Sequence, residues 1–274
     1  MGNKMVDANQ FIDDPRCRQR TLESYGANGF VLFEGIFSSL EISAMRDVWA
    51  AVSDARRKDG KKPYASLLLT HISNPDVAKI VRNRRLVDCV EGLLGGNVEL
   101  VQTQLMYGMP GSKGFTPHQD NYYNRAVPED GIIAAWIALE DVDKENGCVA
   151  VYPASHKAGL AQYRKDWPYL LTRSPDILKS LMRQKSPQLR DQPNDSGVIE
   201  RFVVAKVPEG AQPIDAELKA GSVLFIHGNV IHLSNPNTSL NRSRRSLVAN
   251  YLRAGTTFRA GRLASRTLFN VHGR

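Results

Sequence analysis

Six histidines are spread along the chain, at His71, His118, His156, His227, His232 and His272. Only His118 is followed two residues later by a carboxylate, in Thr116-Pro117-His118-Gln119-Asp120-Asn121. On a strand, residues two apart point to one side, so His118 and Asp120 can reach one metal ion while Gln119 points away. A third ligand has to come from elsewhere in the chain. The segment Gly221–His232 offers two, His227 and His232. Two histidines and one carboxylate on one face leave coordination positions open, the arrangement that suits non-haem Fe(II) with a cosubstrate and dioxygen. A closed tetrahedral zinc site has no such room. Taken alone, His-x-Asp is a weak signal, and a hydrogen-bonded His–Asp pair on a sheet is the simpler explanation.

The elements around these residues change character near residue 98. Before it, helical signals dominate. Ser38-Ser39-Leu40-Glu41 reads as a capping box. The helix it starts carries Met45, Val48, Trp49 and Val52 as an apolar stripe and ends in Arg56-Arg57-Lys58-Asp59-Gly60. Asn74-Pro75 opens a short helix, and Leu86, Val90, Leu93 and Leu94 face another that Gly95-Gly96 stops. Gly29–Glu34 is an early apolar strand, and residues 1–20 read as a mobile leader. After residue 98, short apolar or alternating runs follow at 98–107, 115–121, 131–139, 147–152, 201–207, 222–227, 229–233 and 245–253. No helices alternate with them, which disfavours a parallel sheet and points to an antiparallel sandwich or barrel. Residues 157–200 interrupt this run with a polar, basic, proline-bearing stretch that includes a candidate helix at 174–184. The two readings of that stretch are a lid over a cavity mouth and a surface loop.

The chain has 274 residues, 42% hydrophobic and 23% charged, which is enough for a core without staples. The three widely spaced cysteines exclude a disulfide scaffold and a CxxC zinc site. No stretch is long and apolar enough for a membrane span, and the N-terminus lacks an apolar signal core, so a cytoplasmic location is expected. Lysine and arginine number 36 against 28 acidic residues, a net charge of +8. No basic run is interleaved with aromatics, so nucleic acid is an unlikely partner. The cations between Lys157 and Arg190 suggest a small anionic or carrier-bound substrate; a solvated charged loop is the alternative.

Several segments in fixed order are more specific than any one of them. They are His118–Tyr123, Ala134-Ala135-Trp136-Ile137-Ala138-Leu139, Glu145-Asn146-Gly147-Cys148, Pro153–Lys157, Gly221–His227, Ile231-His232 and Arg244-Arg245-Ser246-Leu247. Together, over roughly residues 20–253, they resemble the phytanoyl-CoA dioxygenase (PhyH-like) family of Fe(II)/2-oxoglutarate oxygenases. The resemblance implies a mainly β fold, a double-stranded β-helix or cupin-like jelly roll at 98–253, braced by helices within 1–97. The whole of 1–274 is then one oxygenase domain with the insertion 157–200 and a tail at 254–274. It implies Fe(II) held by His118, Asp120 and a distal histidine. The family's Ile-His-x-Ser context selects His232-Leu233-Ser234, leaving His227 as a pocket-wall or hydrogen-bonded core residue.

The resemblance also implies 2-oxoglutarate and O2 as cosubstrates, with succinate and CO2 released as a small molecule is oxidised. Hydroxylation is the expected outcome. The distal carboxylate of 2-oxoglutarate needs a fixed cation, and an arginine fork suits it. The family places that arginine where Arg242, Arg244 and Arg245 stand here. Strand alternation puts Arg244 and Ser246 on one face, so these two are preferred. Gln104, Tyr107 and Trp136 fall where the family often lines this pocket, and Asn121, Tyr122 and Tyr123 are further wall candidates. Many relatives carry a lysine where Gly108-Met109 stands, so its role is absent here or moved to Lys113. Relatives that chlorinate lack the carboxylate found at Asp120, which implies oxygenation. A cupin-like metal enzyme without 2-oxoglutarate and a binding protein on a degenerate barrel are the rival classes.

Overall fold

The computed structural model describes residues 5–61, 63–64, 66–165, 203–261 and 264–273. The chain starts with β1 (Val6–Asp7), α1 (Ala8–Asp13) and α2 (Pro15–Asn28). Asp7 and Asp14 cap the two helices through their carboxylates. The stretch expected to be a mobile leader is therefore docked from residue 5 onward. Phe11 is the reason: its ring is buried and meets Phe33 edge-on at 5.1 Å. β1 also pairs in parallel with β2 (Phe30–Glu34).

Next come α3 (Ser39–Lys58), β3 (Leu67–Leu68), α4 (Thr70–Ser73), α5 (Pro75–Val81) and α6 (Arg84–Leu94). Ser38 and Glu41 form the full capping box that the sequence predicts. Ile42, Met45 and Trp49 are the buried face of α3, with Val48 and Val52 packed beside them. The remaining elements are β4 (Val98–Gly108), α7 (Asp120–Asn124), β5 (Ile132–Ala138), β6 (Val149–Val151), β7 (Tyr163–Lys165), β8 (Val203–Ala205), β9 (Ile214–Ala216), β10 (Val223–His227), β11 (His232–Ser234), β12 (Arg244–Arg253) and β13 (Phe269–Asn270).

The large sheet runs β1-β2-β10-β5-β12-β4-β13, with β3 also on β4. A small sheet, β11-β6-β9, lies apart from it, and β7 pairs with β8. Alternation gives the large sheet two different faces. Leu105, Ile133, Ala135, Ile137, Phe225, Leu247, Ala249 and Tyr251 pack on the helices. Ala134, Trp136, Ala138, Leu224 and Ile226 face the other way and join Val149, Val151 and Ala216 of the small sheet. Both faces of β5 are covered, and all seven of its residues are buried. Its unbroken apolar run, Ile-Ile-Ala-Ala-Trp-Ile-Ala, follows from that double burial. The site lies between the two sheets, on the face away from the helices.

One other expectation changes. The run 115–121 is not a strand; it makes one bridge at His118 and turns into α7 at Asp120. The tail packs on its own barrel: β13 pairs with the edge of β4, and Val271 is buried in the helix-side core. Arg82 lies over the Phe269 ring at 4.2 Å. The candidate helix at 174–184, and Arg173, Lys179, Arg183, Lys185 and Arg190, lie outside the described residues. Cys17, Cys89 and Cys148 are free thiols. Among the described residues no helix is long and apolar enough to cross a membrane.

Candidate metal centre

Two backbone hydrogen bonds bring the two halves of the centre together. His118 N–H donates to His232 O, and His232 N–H donates to His118 O, each at 2.9 Å. The two residues are thus directly opposed across an antiparallel bridge, with side chains on the same side. Their ring centroids are 4.2 Å apart. Each Nδ1 faces a carbonyl of its own segment, Thr116 O at 2.8 Å and Val230 O at 3.0 Å. An Nδ1–H donated there leaves Nε2 as the lone-pair nitrogen, the tautomer a metal ligand requires. Burial, then the neighbouring His232, pulls His118 below the ordinary imidazole value against the opposing pull of Asp120, which favours the neutral ring.

Asp120 arrives from the start of α7 rather than from a strand. Gln119 remains extended, so the side chains of His118 and Asp120 still converge. Asp120 Oδ1 lies 3.9 Å from the Nε2 of both histidines. One donor atom from each of the three residues lies within 4.8 Å of the other two. This is the only such group of three among the described residues.

Gln119 points away, as the alternation predicts, and it is fully buried. Its Nε2 donates to Gly159 O at 2.9 Å and to Asn229 O at 2.6 Å. Its Oε1 accepts from the Ala161 N–H at 2.8 Å. One amide thereby ties together the His118 segment, the connection leading to His232 and the approach to β7. No local sequence signal marks it, because all its partners are distant in the chain.

Beside the three residues lies a cavity of about 70 Å³ between the sheets. Its lining includes Gln104, Met106, Trp136, Arg244 and Val248 together with His118, Asp120 and His232. Arg244 is 5% exposed, and its NH1 donates to Gly147 O at 2.8 Å. Its guanidinium carbon is 5.8 Å from the Trp136 ring centre. Among the described residues neither Arg244 Nε nor Ser246 Oγ has a hydrogen-bond partner, although both atoms are buried. Buried polar groups are seldom left unmet, so two orphans on one strand face mark a place for an acceptor. Burial pulls Arg244 down to about 10, leaving it charged at neutral pH. A carboxylate fits this pair. Two histidines and a carboxylate fit a divalent iron.

Gly108 makes the approach of Arg244 feasible. A Cβ there would sit 2.8 Å from Arg244 Nε and 3.2 Å from Arg244 Cβ. The other two arginines considered lie elsewhere. Arg242 pairs with Asp143 at 2.7 Å, and Arg245 pairs with Glu140.

Of the expected wall residues, Tyr107, Asn121, Tyr122 and Tyr123 are not in the cavity lining. Tyr107 is turned to the helices, where its OH donates to Trp49 O and accepts from Ser53 Oγ, both at 3.0 Å. The reason is parity: Gln104 and Tyr107 are three apart on β4 and cannot share a face. Asn121 is used inside the fold, bonding Asn229 Oδ1 and the Ala126 N–H. Lys113 is exposed. Tyr123 stands beside the centre, its ring 6.3 Å from that of His118, and Tyr122 stacks on Tyr163 at 3.8 Å. His227 faces the helices near Tyr25 and His156 and accepts from the Asn229 N–H at 3.0 Å.

A helix-braced double-stranded β-helix with two histidines and a carboxylate at its mouth defines the non-haem iron oxygenase class. The chain belongs to the phytanoyl-CoA dioxygenase (PhyH) family, whose model matches residues 25–246. It is 27% identical over 171 residues to the phytanoyl-CoA dioxygenase domain-containing protein 1 homolog of Caenorhabditis briggsae, covering 62% of this chain and 52% of that protein. It thus spans about half the length of that relative. It is 25% identical over 232 residues to the ectoine dioxygenase of Bordetella parapertussis, covering 80% of this chain and 70% of that protein. The crystal structure of EctD from S. alaskensis with 2-oxoglutarate and 5-hydroxyectoine shares the fold. There the TM-score is 0.59 at 18% identity, with 85% of this chain and 75% of that one covered.

Proposed function

We propose that this chain is an Fe(II)/2-oxoglutarate-dependent dioxygenase that oxidises a small molecule, by hydroxylation, with release of succinate and CO2. The observation that carries the reading is the pair of buried orphans on one face of β12, Arg244 Nε and Ser246 Oγ, with Arg244 lining the same cavity as His118, Asp120 and His232. A metal enzyme that uses no 2-oxoglutarate has no need of a buried guanidinium with an unmet N–H.

In this reading His118, Asp120 and His232 hold the iron. When bound, iron and 2-oxoglutarate supply the activation of O2 that makes an unactivated C–H bond reactive. The chain's own residues do the rest. His118 and His232 present Nε2 because their Nδ1 atoms face the backbone carbonyls of Thr116 and Val230. Arg244 and Ser246 receive the distal carboxylate of 2-oxoglutarate, and Gly147 O holds the guanidinium in place while they do so. Trp136 and Val248 exclude water from that end of the cavity. Phe115 and Tyr123 flank His118, with ring centres 6.4 Å and 6.3 Å from its own, and form an apolar approach for the substrate.

The test is an anaerobic titration of metal-free protein with Fe(II) and then 2-oxoglutarate, read by the visible charge-transfer band of the chelate. The band is expected in the wild type and is expected to be lost or weakened in His118→Ala and Arg244→Ala. Tight metal binding without a band would favour the cupin-like metal enzyme instead. No metal binding at all would favour a binding protein on the same barrel.

A further inference from the structure

Asn250 lies on the same face of β12 as Arg244 and Ser246 and is 2% exposed. Its Nδ2 donates to Asp120 Oδ2 at 3.2 Å. The other oxygen of that carboxylate, Oδ1, is the one 3.9 Å from both imidazole Nε2 atoms. One oxygen of Asp120 is therefore engaged by the barrel wall, and the other is presented to the histidines. We propose that Asn250 is a positioning residue of the metal centre: its amide fixes the Asp120 carboxylate so that Oδ1 alone faces the ion. The inference rests on the reading of His118, Asp120 and His232 as ligands.

The physical need is specific. The last torsion of an aspartate is broad and nearly two-fold, so packing alone does not choose between its oxygens. A carboxylate free to turn could chelate through both oxygens and occupy a position that a facial triad must leave open. A donor on Oδ2 removes that freedom. Both ends of the contact are anchored. Asn250 stands between Gln102 of β4 and Ala134 of β5 in register. On the other side, the Asn121 N–H donates to Gly228 O and Asn124 Nδ2 donates to Asp120 O, each at 2.9 Å.

The experiment is a double-mutant cycle on Co(II) affinity, measured on purified metal-free protein by competition with a chromophoric chelator. Asn250→Ala is expected to weaken Co(II) binding about 10- to 100-fold, the usual effect of losing an outer partner of a ligand. In an Asp120→Ala background the same substitution is expected to change affinity less than about threefold, because the group it acts through is gone. The d–d spectrum of the Co(II) form is expected to change on Asn250→Ala in the first background and not in the second. Equal weakening in both backgrounds, or none in the first, overturns the proposal. If Asn250→Ala does not fold, Asn250→Leu provides a bulkier side chain without the donor and takes its place in the cycle. Wild-type protein that binds no Co(II) overturns the metal-centre reading itself and the proposal with it. That outcome is distinct from binding that is indifferent to Asn250.

Discussion

Replacing Arg244 with methionine removes a buried cation whose NH1 donates to Gly147 O and whose Nε has no hydrogen-bond partner among the described residues. Burial lowers this guanidinium from 12.5 to about 10. At 5% exposure that shift corresponds to roughly 3 kcal/mol of disfavoured charge. The opposing contribution is the bond to Gly147 O at 2.8 Å, worth about 1.5 kcal/mol for a charged donor. Methionine fills much of the same volume without charge. The variant without ligand is therefore expected to gain about 1–2 kcal/mol, or about 2–6 °C in Tm for a chain of this size. The response to 2-oxoglutarate goes the other way. With Mn(II) present and 2-oxoglutarate at a hundred times its Kd, the wild type is expected to gain about 2.7 kcal/mol. The variant is expected to gain under about 0.5 kcal/mol at the same concentration. Differential scanning fluorimetry with and without 2-oxoglutarate reads both numbers. A ligand-free variant that melts below the wild type, or one that keeps the 2-oxoglutarate gain, would refute the assignment of Arg244 as a clamp held in wait.

Gly108→Ala forces a Cβ against Arg244, which Gly147 O restrains from moving. The KM for 2-oxoglutarate is expected to rise about 10- to 100-fold, as it does for small misplacements at a binding group. An unchanged KM in steady-state assays would show that the guanidinium has slack. Tyr107→Phe removes the bonds to Trp49 O and Ser53 and is expected to cost about 1–2 kcal/mol in urea unfolding. Calorimetry is expected to find its 2-oxoglutarate affinity unaltered, and a large loss would return Tyr107 to the pocket. Burial holds both His71 and His227 at about 4 instead of 6.5. Between those values the unfolded chain binds protons that the folded chain refuses, so stability falls as pH drops from 6.5 toward 4. Each histidine is expected to contribute up to roughly 3 kcal/mol of that loss. His71→Phe is expected to flatten the urea midpoint plotted against pH, and an unchanged slope would count against the buried neutral ring.

The sequence shows most where a site is built from local patterns. His118-Gln119-Asp120 is legible because two-residue spacing sets direction, and it remains so although Asp120 begins a helix instead of ending a strand. Arg244 and Ser246 are legible because β12 alternates without a break over that stretch. Asn250 has the same parity, but nothing in the sequence shows that it meets Asp120, since that contact spans two distant segments. Tyr107 shows the opposite case: its spacing from Gln104 already places it on the other face, away from the pocket that the family resemblance implies for it. The early segment misleads for a physical reason. Its polar composition hides a single phenylalanine, Phe11, whose burial against Phe33 depends on a parallel strand pair that no local pattern reveals. Gln119 is illegible in the same way, since its partners at Gly159, Ala161 and Asn229 come from elsewhere in the chain.

β12 is bonded to β4 on one side and to β5 on the other, and along one face it carries Arg244, Ser246, Val248 and Asn250. A one-residue slip of this strand against its neighbours would reverse the direction of every side chain on it. The cation, the hydroxyl and the amide would all turn toward the helices at once, while Arg245, Leu247 and Ala249 would turn into the cavity. Both ends of the centre would fail together, with no partly working intermediate. Changes of length are thus confined to the connections between strands.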